Sequence, residues 1–398
     1  MDPIQRAAFN QAFTAARYEA FVHAVDHATR WPTDFRVCET PLFLSDEFGA
    51  TLTAAAREIV QLTRTPAFAQ HAASAVPKGL GAAHETPHPN FLVVDFGIAE
   101  ESGKLVPRLI ELQAFPSLFG FQWLLLGAIR EFFPVIPRSW TSSFGGIKDA
   151  DYLGLLGRTI LAGARPENVV LLEIEPEKQK TRIDFAATEK MLGVRPVCVT
   201  AVRKRGRELW YERDGRPTRI ERIYNRVIFD ELAHRSDLRL DFSFQDELDL
   251  TWAGHPDWYF RISKHSLPFL KTACTTPAFF ADEFPASENV ADYVLKPLYS
   301  FAGQGVDMDP TKERVAGLAN PHEWILQKKV QYAECVVTPH GPRSKAEVRM
   351  MFIWPDGGEP ILVNNLVRMS QGRMMGVDFN KEKTWVGASI ALHSPAVS

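Results

Sequence analysis

The stretch that most constrains this 398-residue chain is DYVLKPLYSFAGQGV, from Asp292 to Val306. Tyr293, Val294 and Leu295 favour an extended backbone and Pro297 ends regular pairing, so Lys296 stands at the mouth of a strand. A compact ammonium there can reach a phosphate as a point charge. Ser300 to Gly305 adds a run of backbone N–H donors, with Gly303 and Gly305 free to take positive φ and let an anion approach closely. The combination reads as a clamp for nucleotide phosphates. An ordinary strand followed by a glycine-containing hairpin would use the same residues.

Length sets two or three domains with large cores, and 45% hydrophobic with 23% charged residues is the composition of a soluble globular chain. A net charge of −3 gives no general attraction to nucleic acid or anionic membrane. Cys38, Cys198, Cys274 and Cys335 show neither CxxC nor metal-ligand spacing, which suggests reduced thiols in a cytosolic setting. The N-terminal MDPIQRAAFNQAF lacks the apolar core of a signal peptide, and Phe119 to Ile129 is too short to span a bilayer. The expectation is a cytoplasmic protein.

Residues 1 to about 30 carry apolar positions at helical spacing, and Asp46 to Arg64 reads as a second helix. Gly79 to Asn90 is loop by its Gly and Pro content; His84 and His88 inside it have no third metal ligand nearby. Two apolar runs follow, Phe91 to Ile98 and Leu105 to Phe115, joined by a hairpin turn at Gly103. Asp95 interrupts the first run, Glu111 and Gln113 the second. Residues two apart on a strand share a face, so Glu111 and Gln113 can offer oxygen ligands to one cation, the donor type magnesium prefers. The wet face of an edge strand would look the same.

From about Asp149 the pattern becomes alternating helix and strand: helix Asp151 to Ala164, the β-favouring run Asn168 to Ile174 suited to a parallel sheet, helix Asp184 to Leu192, strand Val197 to Val202. This is a βαβ unit. A hairpin around Asp214-Gly215 leads to a strand ending at Tyr224, which puts Asn225 and Arg226 at a strand end, where open α/β sheets line their ligand crevice. The basic turn Arg203 to Arg207 lacks the aromatic interleaving of a single-strand binder, so no nucleic-acid partner is expected. His255 to Lys271 reads as a helical connector carrying Lys264. The remainder is an α+β unit: the lysine strand and glycine loop, a short helix near Pro310 to Leu318, and strands Glu323 to Val330, Glu347 to Trp354 and Ile361 to Met369. The GxxxxGK[ST] and strand-following GxGxxG motifs of P-loop and dinucleotide sites do not occur.

The order lysine strand, glycine loop, hinge strand, Glu-x-Arg strand and arginine strand resembles the ATP-grasp fold. In detail it resembles the circularly permuted branch of that fold, the eukaryotic-type glutathione synthetases and glutathionylspermidine synthases, because IELQAFPSLFG is similar to the magnesium-binding segment that this branch carries early in its chain. The resemblance implies an α/β (α+β) chain: an ATP-grasp fold with an inserted parallel-sheet, Rossmann-like substrate domain. It divides the chain into 1–148 (helices and metal-ligand strands), 149–265 (substrate domain) and 266–398 (nucleotide-binding domain).

Residue by residue, the resemblance sends Glu111 and Gln113 to magnesium, with Asp95 on the preceding strand. It sends Lys264 and Lys296 to the ATP phosphates, Ser300, Gly303, Gln304 and Gly305 to the phosphate-covering loop, and Gln327, Lys328, Lys329 and Val330 to the adenine hinge. Arg226 and Arg368 match substrate-holding arginines. The chain departs from the pattern at Gln113, which replaces an asparagine, at the GQG loop, and at Ser300, which stands where the family has a magnesium-binding glutamate; Glu347 or Asp95 would have to compensate.

The implied cofactors are ATP and Mg2+ and the implied activity is ATP-dependent carboxylate–amine ligation through an acylphosphate. The implied partners are a small-molecule carboxylate and an amine, with no nucleic acid and no membrane, and a homodimer is among the expected assemblies. A nucleotide-binding module without ligase activity is the alternative, and Ser300 is the feature that favours it. The loop after Arg368, SQGRMMGVDFNKEKTWVGAS, is expected to act as a lid, with Gly372, Gly376 and Gly387 supplying freedom and Arg373 and Lys381 supplying charge.

Overall fold

The computed structural model describes residues 1–398 apart from 301, 302, 374, 376–379, 381 and 396–398 and the side chain of Asp230. The N-terminal apolar spacing builds two helices where the sequence suggested one, α1 (Pro3–Ala12) and α2 (Ala15–Asp26). Each has its own cap: Asp2 accepts from the Gln5 N–H, and Thr14, one residue beyond the extended Phe13, accepts from the Arg17 N–H. The break lets Phe9, Phe21 and Val25 meet in one apolar cluster. Helices α3 (Asp46–Thr63), capped by Ser45, and α4 (Pro66–Ser74), capped by Thr65, follow. In α3, Leu52, Ala56, Ile59 and Val60 recur at helical spacing and are all buried.

Strands β1 (Phe91–Glu101) and β2 (Lys104–Gln113) form the expected hairpin, turning through Ser102 and Gly103, both at positive φ. Its register slips by one residue beside Asp95, which pairs with Glu111 while Phe96 pairs with Leu109; Ile110 is the extra residue. Helix α5 (Phe119–Phe132) comes next, then α6 (Asp149–Leu161), β3 (Val169–Glu173), α7 (Arg182–Leu192) and β4 (Arg195–Cys198). A three-stranded antiparallel wing, residues 203–220, precedes β5 (Arg222–Asn225) and β6 (Thr251–Ala253). Strands β6, β5, β3 and β4 lie in that order, all parallel, as the uninterrupted apolar run of β3 requires of a strand covered on both faces. The second strand of the βαβ unit is shorter than expected. It ends at Cys198 and gives way to a 3-10 turn at Val199–Ala201.

The segment expected to be one helix from His255 to Lys271 is two short pieces, Trp258–Arg261 and a 3-10 turn Lys264–Phe269. Ser263 caps the second piece by accepting from the His265 N–H, and Pro268 inside it cannot extend an α-helix. Strands β7 (Ala278–Phe280), β8 (Tyr293–Pro297) and β9 (Trp324–Lys328) form an antiparallel sheet with β9 central. Strands β10 (Lys345–Ile353), β11 (Ile361–Ser370) and β12 (Gly387–Ser389) complete a five-stranded antiparallel sheet of order β12, β11, β10, β1, β2. That sheet therefore joins both ends of the sequence, with Arg349 of β10 directly opposite Asp95 of β1.

The far part of the expected lid is not a lid. Trp385, Val386 and residues 387–392 are buried; β12 pairs with β11, and Ala391–Leu392 pairs in parallel with Leu42–Phe43. Gly376 and Lys381 of that loop lie outside the described residues. No helix among the described residues is long and apolar enough to cross a membrane.

Candidate functional site

The two antiparallel sheets and the C-terminal edge of the parallel one enclose a cavity of about 1600 Å3. Into it project Glu111 and Gln113 of β2, Lys264 of the 3-10 turn, Lys296 of β8, residues Gln327 to Val330 at the end of β9, Glu347 of β10 and Arg368 of β11. Ser300, Gly303 and Gln304 close one side and Arg226 the far end. Of the residues that the resemblance assigns to ATP, magnesium and substrate, Asp95 and Gly305 do not line the cavity.

Lysine placement follows from backbone detail. Lys296 Nζ donates to Gln327 Oε1 at 2.6 Å and to the Ile110 carbonyl at 3.3 Å, the carbonyl of the bulge residue in β2. Gln327 is oriented in turn by donating to the Leu109 carbonyl at 2.9 Å. Its side chain thus ties the lysine sheet to β2, and only the backbone past it is left to act as a hinge. Lys264 Nζ lies 3.1 Å from Glu111 Oε1 and donates to the Ser300 carbonyl. The glycine loop folds back so that Asp307 and Leu295 exchange backbone hydrogen bonds, with Gly303 at φ +77° and Gly305 at +71°. Gly305 packs on Pro297, where an added Cβ would sit 3.1 Å from the ring. The Ser300 hydroxyl is buried without a hydrogen-bond partner among the described residues.

Beneath the cavity lies a network of acids and guanidinium groups. Asp95, fully buried, accepts from Arg349 Nε and Nη2, both at 2.7 Å, and from Arg368 Nη2 at 2.8 Å. Arg368 Nη2 also meets Glu347 Oε2 at 2.9 Å, and Glu347 accepts from the Tyr332 hydroxyl. Tyr332 can lie there only because residue 97 is glycine, since a Cβ on it would come within 2.7 Å of the ring.

Titration follows from this crowding. Burial pushes Lys296 down to about 8, with Lys264 and Arg368 adding to the effect against Glu111 and Glu347. Burial opposes the charge on Glu111 and Asp95 too, yet both stay below the ordinary carboxylate range, Glu111 because of Lys264 and Lys296 and Asp95 because of Arg349 and Arg368. Burial also opposes the charge on Arg368, but Glu347, Asp95 and Glu111 raise its pKa further.

At the other end Arg226, 2% exposed, lines the cavity and is braced by the fold. Its Nη1 meets Asp184 Oδ2 at 3.0 Å and its guanidinium lies between the rings of Phe115 and Phe185. Asp184 simultaneously accepts from the N–H groups of Leu118 and Phe121 at the start of α5. Near it is a residue that sequence reasoning passed over. Glu173, the last residue of β3, lines the cavity with only 3% exposure and accepts from the Ile174 N–H at 2.7 Å. Burial pushes it up to about 8 against the pull of Arg226. The signal was present as a carboxylate closing the apolar run NVVLLE, at the strand end where open α/β sheets bind ligands.

Among the described residues no cluster of three or more His, Cys, Asp or Glu is arranged to hold a metal ion. His84 pairs with Glu247 while His88 stacks on Trp354, so the two do not converge. Magnesium commonly takes one or two protein ligands and completes its shell with water and substrate phosphates. Glu111 and Gln113 fit that use: both reach the cavity from β2, and the Lys264 ammonium already stands beside Glu111 as a cation would. Asp95 fits less well, since both of its oxygens are held by guanidinium groups.

No family model matches the chain, and no curated protein matches it in sequence. Among solved structures it is similar to a glutathione synthetase-like effector from Globodera pallida, in apo form, with a TM-score of 0.55 over 93% of this chain and 95% of that one. Identity is 12%, so the likeness bears on fold alone. The fold is mixed α+β and is shared with that neighbour.

Proposed function

We propose that the protein is an ATP-dependent carboxylate–amine ligase acting through an acylphosphate. The observation that carries the reading is the convergence of Lys264 and Lys296 from separate elements, beside Glu111 and Gln113 and facing Arg368, in a cavity roomy enough for a nucleotide and two further substrates. In such a reaction a carboxylate oxygen attacks the γ-phosphorus of ATP and ADP leaves; a neutral amine then attacks the acyl carbon, phosphate leaves with the electron pair, and the nitrogen gives up one proton, which the departing phosphate can accept. Charge accumulates on phosphate oxygens, so catalysis consists of positioning and cationic stabilisation.

Lys264 and Lys296 hold the phosphates, each exchanging a protein partner, Glu111 or Gln327, for a phosphate oxygen. The glycine loop covers the phosphates, and the backbone after Gln327 borders the base. Arg368, fixed from below by Asp95 and Glu347, turns its remaining donors to the acceptor carboxylate. Glu111 and Gln113 would hold magnesium, which when bound would neutralise phosphate charge. The parallel-sheet region around Glu173 and Arg226 supplies the rest of the substrate wall.

The test is ADP release in the presence of ATP, magnesium and a pool of amino acids and small peptides, with mass spectrometry for condensed products. Stimulated release with a new amide product supports the ligase. The second reading, a nucleotide-binding module, is favoured by Ser300 and by the engagement of Asp95. It predicts thermal stabilisation by ATP with no turnover under any pool.

A further inference from the structure

Charge at the phosphate end of the cavity is already balanced to excess without any ligand. Asp95, Glu111 and Glu347 face Lys264, Lys296, Arg349 and Arg368. A divalent cation entering this site alone would meet carboxylates that each have a partner and ammonium and guanidinium groups that repel it. The pairs differ in how they can be undone. Arg349 grips Asp95 through two bonds across the β1–β10 ladder, and Arg368 is directly opposite Glu347 in the β10–β11 ladder. Lys264 instead sits on a 3-10 turn and reaches Glu111 by a single contact at 3.1 Å.

We propose that the Lys264–Glu111 ion pair is a gate that sets the order of binding. Nucleotide enters first and without a divalent cation, and its phosphates draw Lys264 away. Only then do Glu111 and the adjacent Gln113 become available to a metal. This rests on the nucleotide reading above and adds to it a lock that closes the metal site of the empty protein. The lock has a use: a site that takes metal only with nucleotide does not sequester the ion unproductively, and by linkage the bound metal then tightens the nucleotide.

The experiment uses Mn2+ as the probe, free ion being counted by electron paramagnetic resonance, on the full chain without nucleotide. Wild type should leave Mn2+ free at millimolar concentration. Lys264→Met should bind it at least tenfold more tightly, and adding Glu111→Gln in that background should abolish the gain. Calorimetry of a non-hydrolysable ATP analogue with wild type, in EDTA and in magnesium, supplies the second arm and needs no variant; binding should persist in EDTA. Tight Mn2+ binding by wild type, or no gain on freeing Glu111, overturns the gate while leaving the nucleotide reading intact. Binding of the analogue in magnesium but not in EDTA does the same. No binding in either buffer overturns both.

Discussion

Replacing Arg349 with methionine tests the idea that Asp95 belongs to the scaffold of the site and not to its metal shell. Asp95 is fully buried and its charge rests on three charge-assisted bonds, of which Arg349 supplies two at 2.7 Å and Arg368 one at 2.8 Å. Arg349→Met removes two of the three and strands a carboxylate whose desolvation is no longer offset. Breaking a buried pair from one side costs roughly 3–5 kcal/mol, and Arg368, which stays, places the expectation near the lower end. Asp95→Asn combined with Arg349→Met should lose less than Arg349→Met alone, because no uncompensated charge is left.

The pH dependence has a definite sign. In the wild type Asp95 has its pKa lowered by folding, so its contribution is present above the unfolded value of 3.8 and is lost as pH falls through the folded one. In the variant the carboxyl is more easily protonated, so the gap between the two proteins should narrow as pH falls from 7 toward 4. Urea unfolding of ligand-free protein at pH 7 and pH 4, followed by fluorescence, measures both effects. A loss under about 1 kcal/mol at pH 7, or a gap that widens in acid, would refute the scaffold role.

Lys296→Ala should keep the fold and weaken nucleotide binding by roughly 1.5–3 kcal/mol, seen as a 10- to 150-fold rise in Kd by calorimetry. Because burial holds Lys296 near 8, nucleotide affinity of the wild type should fall as pH rises above that value and binding should take up a proton, read from the heat in buffers of different ionisation enthalpy; Lys296→Ala should abolish the uptake. Gly97→Ala puts a Cβ 2.7 Å from the Tyr332 ring and should cost about 1–3 kcal/mol while loosening Glu347, with Gly97→Val worse in the same unfolding assay. Glu173 keeps its proton in the folded state up to about 8 against 4.5 unfolded, so each pH unit between those values removes up to about 1.4 kcal/mol from the wild type. Glu173→Gln should therefore gain stability relative to wild type as pH rises from 5 to 8, and a pH-independent difference would show that the carboxyl is ordinary.

What the sequence disclosed and what it hid divide along a physical line. The βαβ unit was legible because a strand buried on both faces must be continuously apolar, and residues 169–172 are. Lys296 was legible because strand, proline and glycine turn are local devices. The split of the N-terminal helix at Phe13 and of residues 255–271 at Ser263 had local signals as well, the caps Thr14 and Ser263, but apolar periodicity outweighed them. Roles fixed by cross-strand register were out of reach. Whether Asp95 is a ligand or a scaffold acid depends on Arg349, 254 residues later, and on the bulge that shifts the β1–β2 pairing beside it.

The same holds at the chain's end. TWVGASIALH has the glycine and serine of a loop, yet Gly387 is there because a Cβ would lie 2.4 Å from the Arg36 carbonyl, on a strand edge that local sequence does not foretell. Charge in this site behaves likewise. Lys264 and Glu111 each read as a ligand-binding residue when taken alone, but at 3.1 Å they satisfy one another. Neither can take a ligand atom without giving up the other, which is why the binding order proposed for this site is a property of the pair and not of either residue.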